Sequence, residues 1–195
     1  MLTSITPLGE RGRGQRWWLT ASGLLVGHLV GGLLFGAVLG VVSMASHLVA
    51  NPSSAVSALV MAAAILIAAT ADSLGWRLPG RRQVDERWLT KYRGWVYGLG
   101  FGIQLGAGFF TVVNTSLFVV LVVSAIFNTA WFCLLIGVLY GATRGAMAVL
   151  SARVHTVGDL KSLHQRLDRV ERPSMWGGLF SVSLVAGVFV VSVLI

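Results

Sequence analysis

Four polar side chains inside the long apolar segments of this 195-residue sequence could contact a solute: His28, Gln104, Asn114 and Arg144. A neutral imidazole can hold an amide group, and one that titrates can relay protons. His28 and Gln104 lie in the inner halves of two glycine-rich segments, so they form either a structural clasp, which we favour, or a proton relay. Arg144 either anchors the end of its helix at a membrane boundary or binds an anion or carbonyl group inside a bundle.

Other chemistry has little support in the sequence. It contains no Ser-His-Asp order, metalloprotease helix motif, phosphate-binding loop or intramembrane carboxylate pair. The other histidines, His47, His155 and His164, lie in different predicted loops without carboxylates, which argues against a metal site. The single cysteine, Cys133, excludes an intramolecular disulfide and a Cys-pair redox centre. We therefore expect no enzyme, no cofactor and no bound metal.

Long charge-free segments must position the four polar side chains. No Asp, Glu, Lys or Arg occurs in 17–71, 94–143 or 173–195, which are 55, 50 and 23 residues long. One helical crossing of a bilayer takes about 20 apolar residues, so these segments hold two, two and one crossings. Only 11% of the residues are charged and the mean hydropathy is +0.79. These values exclude a soluble enzyme, a nucleic-acid-binding domain and a disulfide-stapled secreted module.

The sequence thus predicts an all-α, polytopic transmembrane bundle of five spans. A basic leader, 1–18, without apolar periodicity and poorly ordered at its start, precedes a single transmembrane domain, 19–195. The predicted spans are about 19–45, 55–74, 94–120, 129–150 and 174–194.

Basic residues predict the orientation of these spans. The 15 Lys and Arg residues fall before span one, between spans two and three, and in and after span four. With five spans all of them lie on one face, which is the cytoplasmic side of a cell inner membrane. The N-terminus is then inside and the C-terminus outside. The same distribution argues against a nucleic-acid partner. Six of the seven tryptophans fall at this inner boundary: Trp17, Trp18, Trp76, Trp88, Trp95 and Trp176.

A short cytoplasmic amphipathic helix is predicted at about 157–172. Thr156 and Asp159 suit its N-terminus, and its apolar stripe consists of Leu160, Leu163, Leu167 and Val170. The helix either lies on the inner leaflet or on the protein's own loops, or offers the stripe to a partner helix.

Glycine, with 24 copies, recurs at helical spacing in spans one, three and four. Glycine at every fourth position lets helix backbones meet in lipid. This spacing indicates tight helix packing or, alternatively, helices that slide or unwind during a transport cycle. The packing glycines are Gly27, Gly32, Gly36, Gly98, Gly102, Gly106, Gly137 and Gly141.

Two stretches within a segment of about 50 residues, YGLGFGIQLGAGFFTVVNTSLFVV and LLIGVLYGATRG, resemble the second half of a known family. This family comprises the thiol-disulfide membrane electron carriers of cytochrome c biogenesis, in the lysine-exporter superfamily. Gly98, Gly102 and Gly106, and the segment from Tyr140 to Arg144, are similar to its pattern. Residues 111–113 stand where the family has Pro-Cys, so the resemblance implies the scaffold of a carrier or assembly partner, without disulfide reduction.

Two functions follow from these features. The leading hypothesis is a transporter-like protein that handles a small solute between glycine-rich helices. The alternative is a non-catalytic accessory or assembly subunit whose partners are other membrane subunits or copies of itself within the lipid bilayer. The scarcity of intramembrane ionisable groups favours the alternative, because ion-coupled carriers usually keep an acid or Lys there.

Overall fold

The computed structural model describes residues 5–49, 53–74, 87–108 and 117–169. In these ranges the chain is helical and contains no β-strand. A 3-10 turn, Ser151–Arg153, follows the seventh helix. The helices are α1 Pro7–Gly12, α2 Trp17–Val49, α3 Ser54–Ser73, α4 Trp88–Lys91, α5 Gly94–Gly106, α6 Leu117–Ile126, α7 Ala130–Leu150 and α8 157–169.

Three of these helices are long and apolar enough to cross a membrane. The segments Trp17–Val49, Ala55–Ser73 and Ala130–Arg153 have mean hydropathies of 2.2, 2.0 and 1.7. Their positions agree with the helices predicted for spans one, two and four. The first is longer than predicted: its 33 residues extend about 50 Å at 1.5 Å per residue. A bilayer core is only about 30 Å thick, so this helix would have to tilt or project beyond it.

The predicted third span, 94–120, is not one continuous helix. Helix α5 ends at Gly106, and Gly108 adopts a left-handed backbone conformation with φ of 67°. Glycine takes up this conformation without the steric cost that a Cβ atom imposes, and so commonly ends a helix. The next helix that the structure describes, α6, begins at Leu117 and ends at Ile126. Hydropathy cannot register such an interruption because the backbone angle of one glycine leaves the apolar character of the segment unchanged.

The basic leader contains a helix that the sequence analysis did not predict. Thr6 caps α1, with its Oγ1 accepting a hydrogen bond from the Gly9 N–H at 3.0 Å. Pro7, at the first helical position, has a backbone angle suited to a helix start. The Leu8 N–H donates to the Val154 carbonyl at 3.1 Å, which ties the leader to the residue after the 3-10 turn that follows α7. The predicted disorder at the start of the leader concerns 1–4, outside the described residues.

The chain folds as two compact units. The first comprises Met1–Gly36, Arg81–Thr111 and Leu135–Arg169, and its apolar core is formed by Ile5, Leu24, Tyr97, Phe101 and Ala148. The second comprises Ala37–Gly80, Val112–Leu134 and Val170–Ile195. In it α3 packs on α6 through Ile65, Ala68 and Val120, with Met61 at the edge.

Helix α8 begins as the sequence predicts. The Thr156 Oγ1 accepts a hydrogen bond from the Asp159 N–H at 3.1 Å, and the Asp159 carboxylate accepts one from the Thr156 N–H at 2.9 Å. The Thr156 side chain, and then the Thr156 and His155 N–H groups, hydrogen-bond to the Asp159 carboxylate and lower the pKa of Asp159. Leu160, Leu163 and Leu167 are half-buried, whereas the other residues after Leu160 are exposed. Val170, the predicted end of α8 and the predicted fifth span lie outside the described residues.

Candidate functional site

His28 lies where α2 crosses α5, both in the first unit. The His28 side chain is only 3% exposed. A methyl group added at Gly106 would lie 2.8 Å from the His28 Cα, and one at Gly102 would lie 2.7 Å from the Gly27 Cα. Real Cβ atoms essentially never come this close to backbone, so α2 and α5 meet backbone to backbone. We call this contact, with its continuation on α7, the glycine crossing.

Helix α7 approaches α2 as closely. A methyl group at Gly141 would lie 3.1 Å from the Gly32 Cα, and one at Gly145 would lie 3.1 Å from the His28 Cβ. Gly137 meets Gly36 in the same way. Gly27 and Gly32 are five residues apart, so they point about 140° from each other around α2. Two helices can therefore pack on α2 at the level of His28. Gly27, Gly32, Gly102, Gly106 and Gly141, which lie at this contact, are among the packing glycines predicted from their spacing.

The His28 ring forms its hydrogen bond within its own helix. Its Nδ1 lies 2.7 Å from the Leu24 carbonyl oxygen. A carbonyl oxygen only accepts, so we assign the proton to Nδ1, and in a neutral ring Nε2 is then an acceptor. The imidazole thus has one atom fixed to the backbone and one that can accept a proton or a hydrogen bond.

Arg144 comes to the same crossing, because Gly145, which packs on His28, follows it directly. Its Nη1 donates to the Tyr140 hydroxyl at 2.7 Å, and its guanidinium carbon lies 5.6 Å from the centre of the Tyr140 ring. The Phe35 ring of α2 packs on the same Tyr140 ring, and the two ring centres lie 5.4 Å apart.

Gln104, another predicted site residue, is not brought to this point. Gln104 is two positions from both Gly102 and Gly106, which places it about 200° around α5 from the glycines that face α2. It is half-buried and, within the described residues, makes no hydrogen bond to His28. The interpretation of the pair as a clasp thus has no support in this geometry. Asn114 lies outside the described residues.

A second polar cluster, which the sequence analysis missed, is centred on Glu10 in the first unit. The Glu10 side chain is fully buried. Its Oε2 accepts hydrogen bonds from the Thr20 hydroxyl at 2.8 Å and from the Tyr97 hydroxyl, and its Oε1 accepts one from the Arg13 Nη2 at 2.5 Å. We call Glu10, Arg13, Thr20 and Tyr97 the Glu10 cluster. It joins the leader to α2 and α5.

The Glu10 cluster is electrostatically paired. Burial of the Arg13 guanidinium opposes its charge, but the hydrogen bonds and charge of Glu10, with a contribution from Tyr97, outweigh this and raise the pKa of Arg13. A buried carboxylate is stable only when donors of this kind replace water. Next to the cluster, the Gln15 side-chain oxygen accepts a hydrogen bond from the Gly94 N–H at 3.1 Å, so α2 and α5 begin side by side.

Two signals in the sequence pointed to this cluster. Thr6-Pro7 is a typical helix start, and Glu10 is the only acidic residue before Asp72. The partners themselves were not predictable, because Tyr97 is 87 positions away along the chain.

Within the described ranges, no group of three His, Cys, Asp or Glu residues could hold a metal ion. Cys133 is a buried thiol in the second unit. Comparisons with protein-family models, curated proteins and solved structures find no match for this chain. The resemblance of 97–120 and 134–145 to membrane electron carriers therefore stays a prediction.

Proposed function

We propose that this chain is a multi-pass inner-membrane protein, transporter-like, that handles a small solute beside the interruption of its third span. In this proposal the chain crosses the membrane five times, with its N-terminus inside and its C-terminus outside. Three apolar helices of spanning length support a membrane location. The one-sided distribution of 15 Lys and Arg residues supports the orientation.

The end of α5 at Gly106 is the observation that carries the solute-handling role. Helix α5 starts beside Arg93 and Trp95, residues typical of the inner boundary. Its 13 residues extend about 20 Å, which is less than the roughly 30 Å of a hydrocarbon core. Helical structure would thus stop inside the membrane. Non-helical backbone at that depth is tolerated only where protein buries it or where it lines a water-filled cavity.

Interrupted helices of this kind are typical of the substrate sites of secondary transporters. Carbonyl groups in the last turn of a helix have no partner one turn further along it, so those at the end of α5 that the Ala107 N–H does not occupy can bind a cation or a donor group. His28, packed on Gly106, supplies a ring nitrogen that can accept a hydrogen bond or a proton. Arg144 supplies a positive charge at the same crossing. We propose these groups as the solute contacts, with Gln104 on the far side of α5 and Asn114 as further predicted contacts.

Water accessibility at the end of α5 tests the proposal without knowledge of the solute. In a Cys133→Ala background, Gln104→Cys places a thiol about 15 Å along α5 from its start, and Leu139→Cys places one at a similar distance from the end of α7. Leu139 is 55% exposed on an apolar helix, so it would face lipid. We expect a charged, membrane-impermeant thiol reagent to modify Gln104→Cys in proteoliposomes and to leave Leu139→Cys unmodified.

Equal labelling of the two thiols, or no labelling of Gln104→Cys, would contradict a water-filled site. Uptake measurements with a panel of small solutes then test the contacts themselves. Transport that is unaffected by alanine at His28 and Arg144 would reject the assigned site, whereas loss in both variants and full activity of Leu139→Ala would support it.

An accessory or assembly subunit is the second candidate, and the glycine crossing favours it. Backbone contact around His28 fills the space between α2, α5 and α7, as expected of a static scaffold. Helix α8 has an apolar stripe that is half-buried at Leu160, Leu163 and Leu167. This burial agrees with a helix that lies on its own protein. The part of the stripe that stays exposed is available to a partner.

Purification in mild detergent separates the two candidates. A stoichiometric partner that is lost in Leu163→Asp/Leu167→Asp, but retained in the control Ser162→Asp/Gln165→Asp, supports the subunit. A monodisperse chain that transports a solute supports the carrier.

A further inference from the structure

We propose that Arg16, Lys91 and Arg93 form a binding site for the phosphate group of an anionic phospholipid. We call these three residues the cationic corner. The inference concerns lipid recognition and does not depend on whether the chain transports a solute.

The fold holds the members of the cationic corner near each other through contacts made by neighbouring residues. The hydrogen bond between Gln15 and the Gly94 N–H joins the residue before Arg16 to the residue after Arg93. Behind it, the Glu10 cluster fixes the start of α2 to the first turn of α5. Lys91 ends α4, two residues before Arg93, and its Nζ lies 5.8 Å from the centre of the Tyr92 ring. Among the described residues, the three cations are thus positioned without contact to an acidic side chain.

The positive charge of the cationic corner is not neutralised by the described part of the chain. Arg16, Lys91 and Arg93 are all exposed. None of them forms an ion pair with a described acidic residue, and Glu10, which lies close by, is fully buried and paired with Arg13. Like charges held near each other repel, so a ligand that brings negative charge between them is favoured. Two guanidinium groups and an ammonium group match the oxygens of a phosphate diester.

Exposed indole rings point to a lipid as the source of that phosphate. Trp18 follows Arg16 by two positions and is 58% exposed, and Trp95 follows Arg93 by two positions and is 51% exposed. Tryptophan side chains favour the headgroup level of a membrane. Beyond Trp18 the surface of α2 continues with exposed apolar side chains such as Val26, which suit acyl chains. The corner therefore combines a site for a phosphate with a surface for the rest of the lipid.

The test compares two variants of the full-length chain that lose the same charge. Arg16→Gln/Arg93→Gln removes two cations from the corner, and Arg166→Gln/Arg169→Gln removes two exposed cations from α8. Native mass spectrometry in detergent would measure binding of phosphatidylglycerol and of phosphatidylcholine. We expect the corner variant to bind phosphatidylglycerol at least tenfold more weakly, the α8 variant to change less than twofold, and both to bind phosphatidylcholine as the unmodified chain does.

Equally weakened phosphatidylglycerol binding in the two variants would mean that overall charge alone attracts the lipid. Unchanged binding in both variants would mean that the corner does not bind the lipid. Either result would overturn the proposal. Inorganic phosphate at millimolar concentration, added as a competitor, should leave phosphatidylglycerol bound. Displacement of phosphatidylglycerol by phosphate would assign the corner to a soluble anion instead. A further variant, Arg16→Lys/Arg93→Lys, keeps the charge and should show intermediate binding, because an ammonium group cannot make the bidentate contact. Unchanged helical circular dichroism in all variants excludes misfolding as the cause.

Discussion

The glycine crossing and the Glu10 cluster hold α2 and α5 together by different means. At the crossing, glycines on facing helices let the helix backbones touch. At the Glu10 cluster, a charged side chain is buried and three donors compensate for the lost water. The crossing is stabilised by close packing of many atoms, which depends on shape. The cluster depends on complete pairing, so removal of one member leaves the others unsatisfied.

The comparison predicts that added volume is most damaging at the crossing. Gly102→Leu places a side chain against the backbone of Gly27 and His28, which cannot move aside without separating the helices. We expect the free energy of unfolding in detergent to fall by about 3 kcal/mol or more. Gly12→Ala is the control, because nothing lies within 4 Å of an added Cβ there. A loss of similar size in the control would mean that glycine flexibility, rather than close approach, determines the effect.

Loss of charge is expected to damage the Glu10 cluster somewhat less. Glu10→Gln keeps the size of the side chain but leaves the Arg13 charge without its partner. Because the Arg13 side chain is still 25% exposed, water compensates in part, and we expect a loss of about 2 kcal/mol. Thermal unfolding followed by circular dichroism measures it. An unchanged melting temperature would show that the carboxylate contributes no net stability.

A smaller effect should distinguish pairing from packing. Tyr97→Phe removes one hydroxyl donor from Glu10 and keeps the ring in the apolar core, so we expect a loss of about 1 kcal/mol. In a Glu10→Gln background, Tyr97→Phe should lower the stability clearly less than it does alone, because the two residues share one hydrogen bond. Strict additivity of the two losses would contradict a paired cluster.

The smallest effect concerns the exposed start of α8. Hydrogen bonds from Thr156 and His155 lower the pKa of Asp159, so the ionised carboxylate stabilises the folded state. This contribution is fully present above the ordinary pKa of the carboxyl and is lost as the pH falls through the lower, folded value. Thr156→Ala should move the pKa of Asp159 back toward its ordinary value in a carbon-13 NMR titration of the carboxyl. The control Ser162→Ala should not, and an Asp159 pKa that is unchanged by Thr156→Ala would argue against the cap.

Some features of this fold were predictable because their signals are local in the sequence. Uninterrupted apolar stretches predict α3 and α7, and the four-residue glycine spacing predicts the face of α5 that includes Gly102 and Gly106. The position of Gln104 on another face follows from the same helical geometry, so its separation from His28 could have been inferred from the 200° rotation alone. Two features were not predictable. The end of α5 depends on a backbone angle at Gly108, and the Glu10 cluster depends on contacts between residues far apart in the chain.

The membrane topology is the most direct test of the account, because the depth of the α5 end and the side of the cationic corner both depend on it. Reporters fused to the N-terminus and to the C-terminus, in separate full-length chains in intact cells, locate the two ends. An N-terminus in the cytoplasm and a C-terminus outside are the expected result. Both ends on the same side would contradict an odd number of spans and, with it, the proposed site.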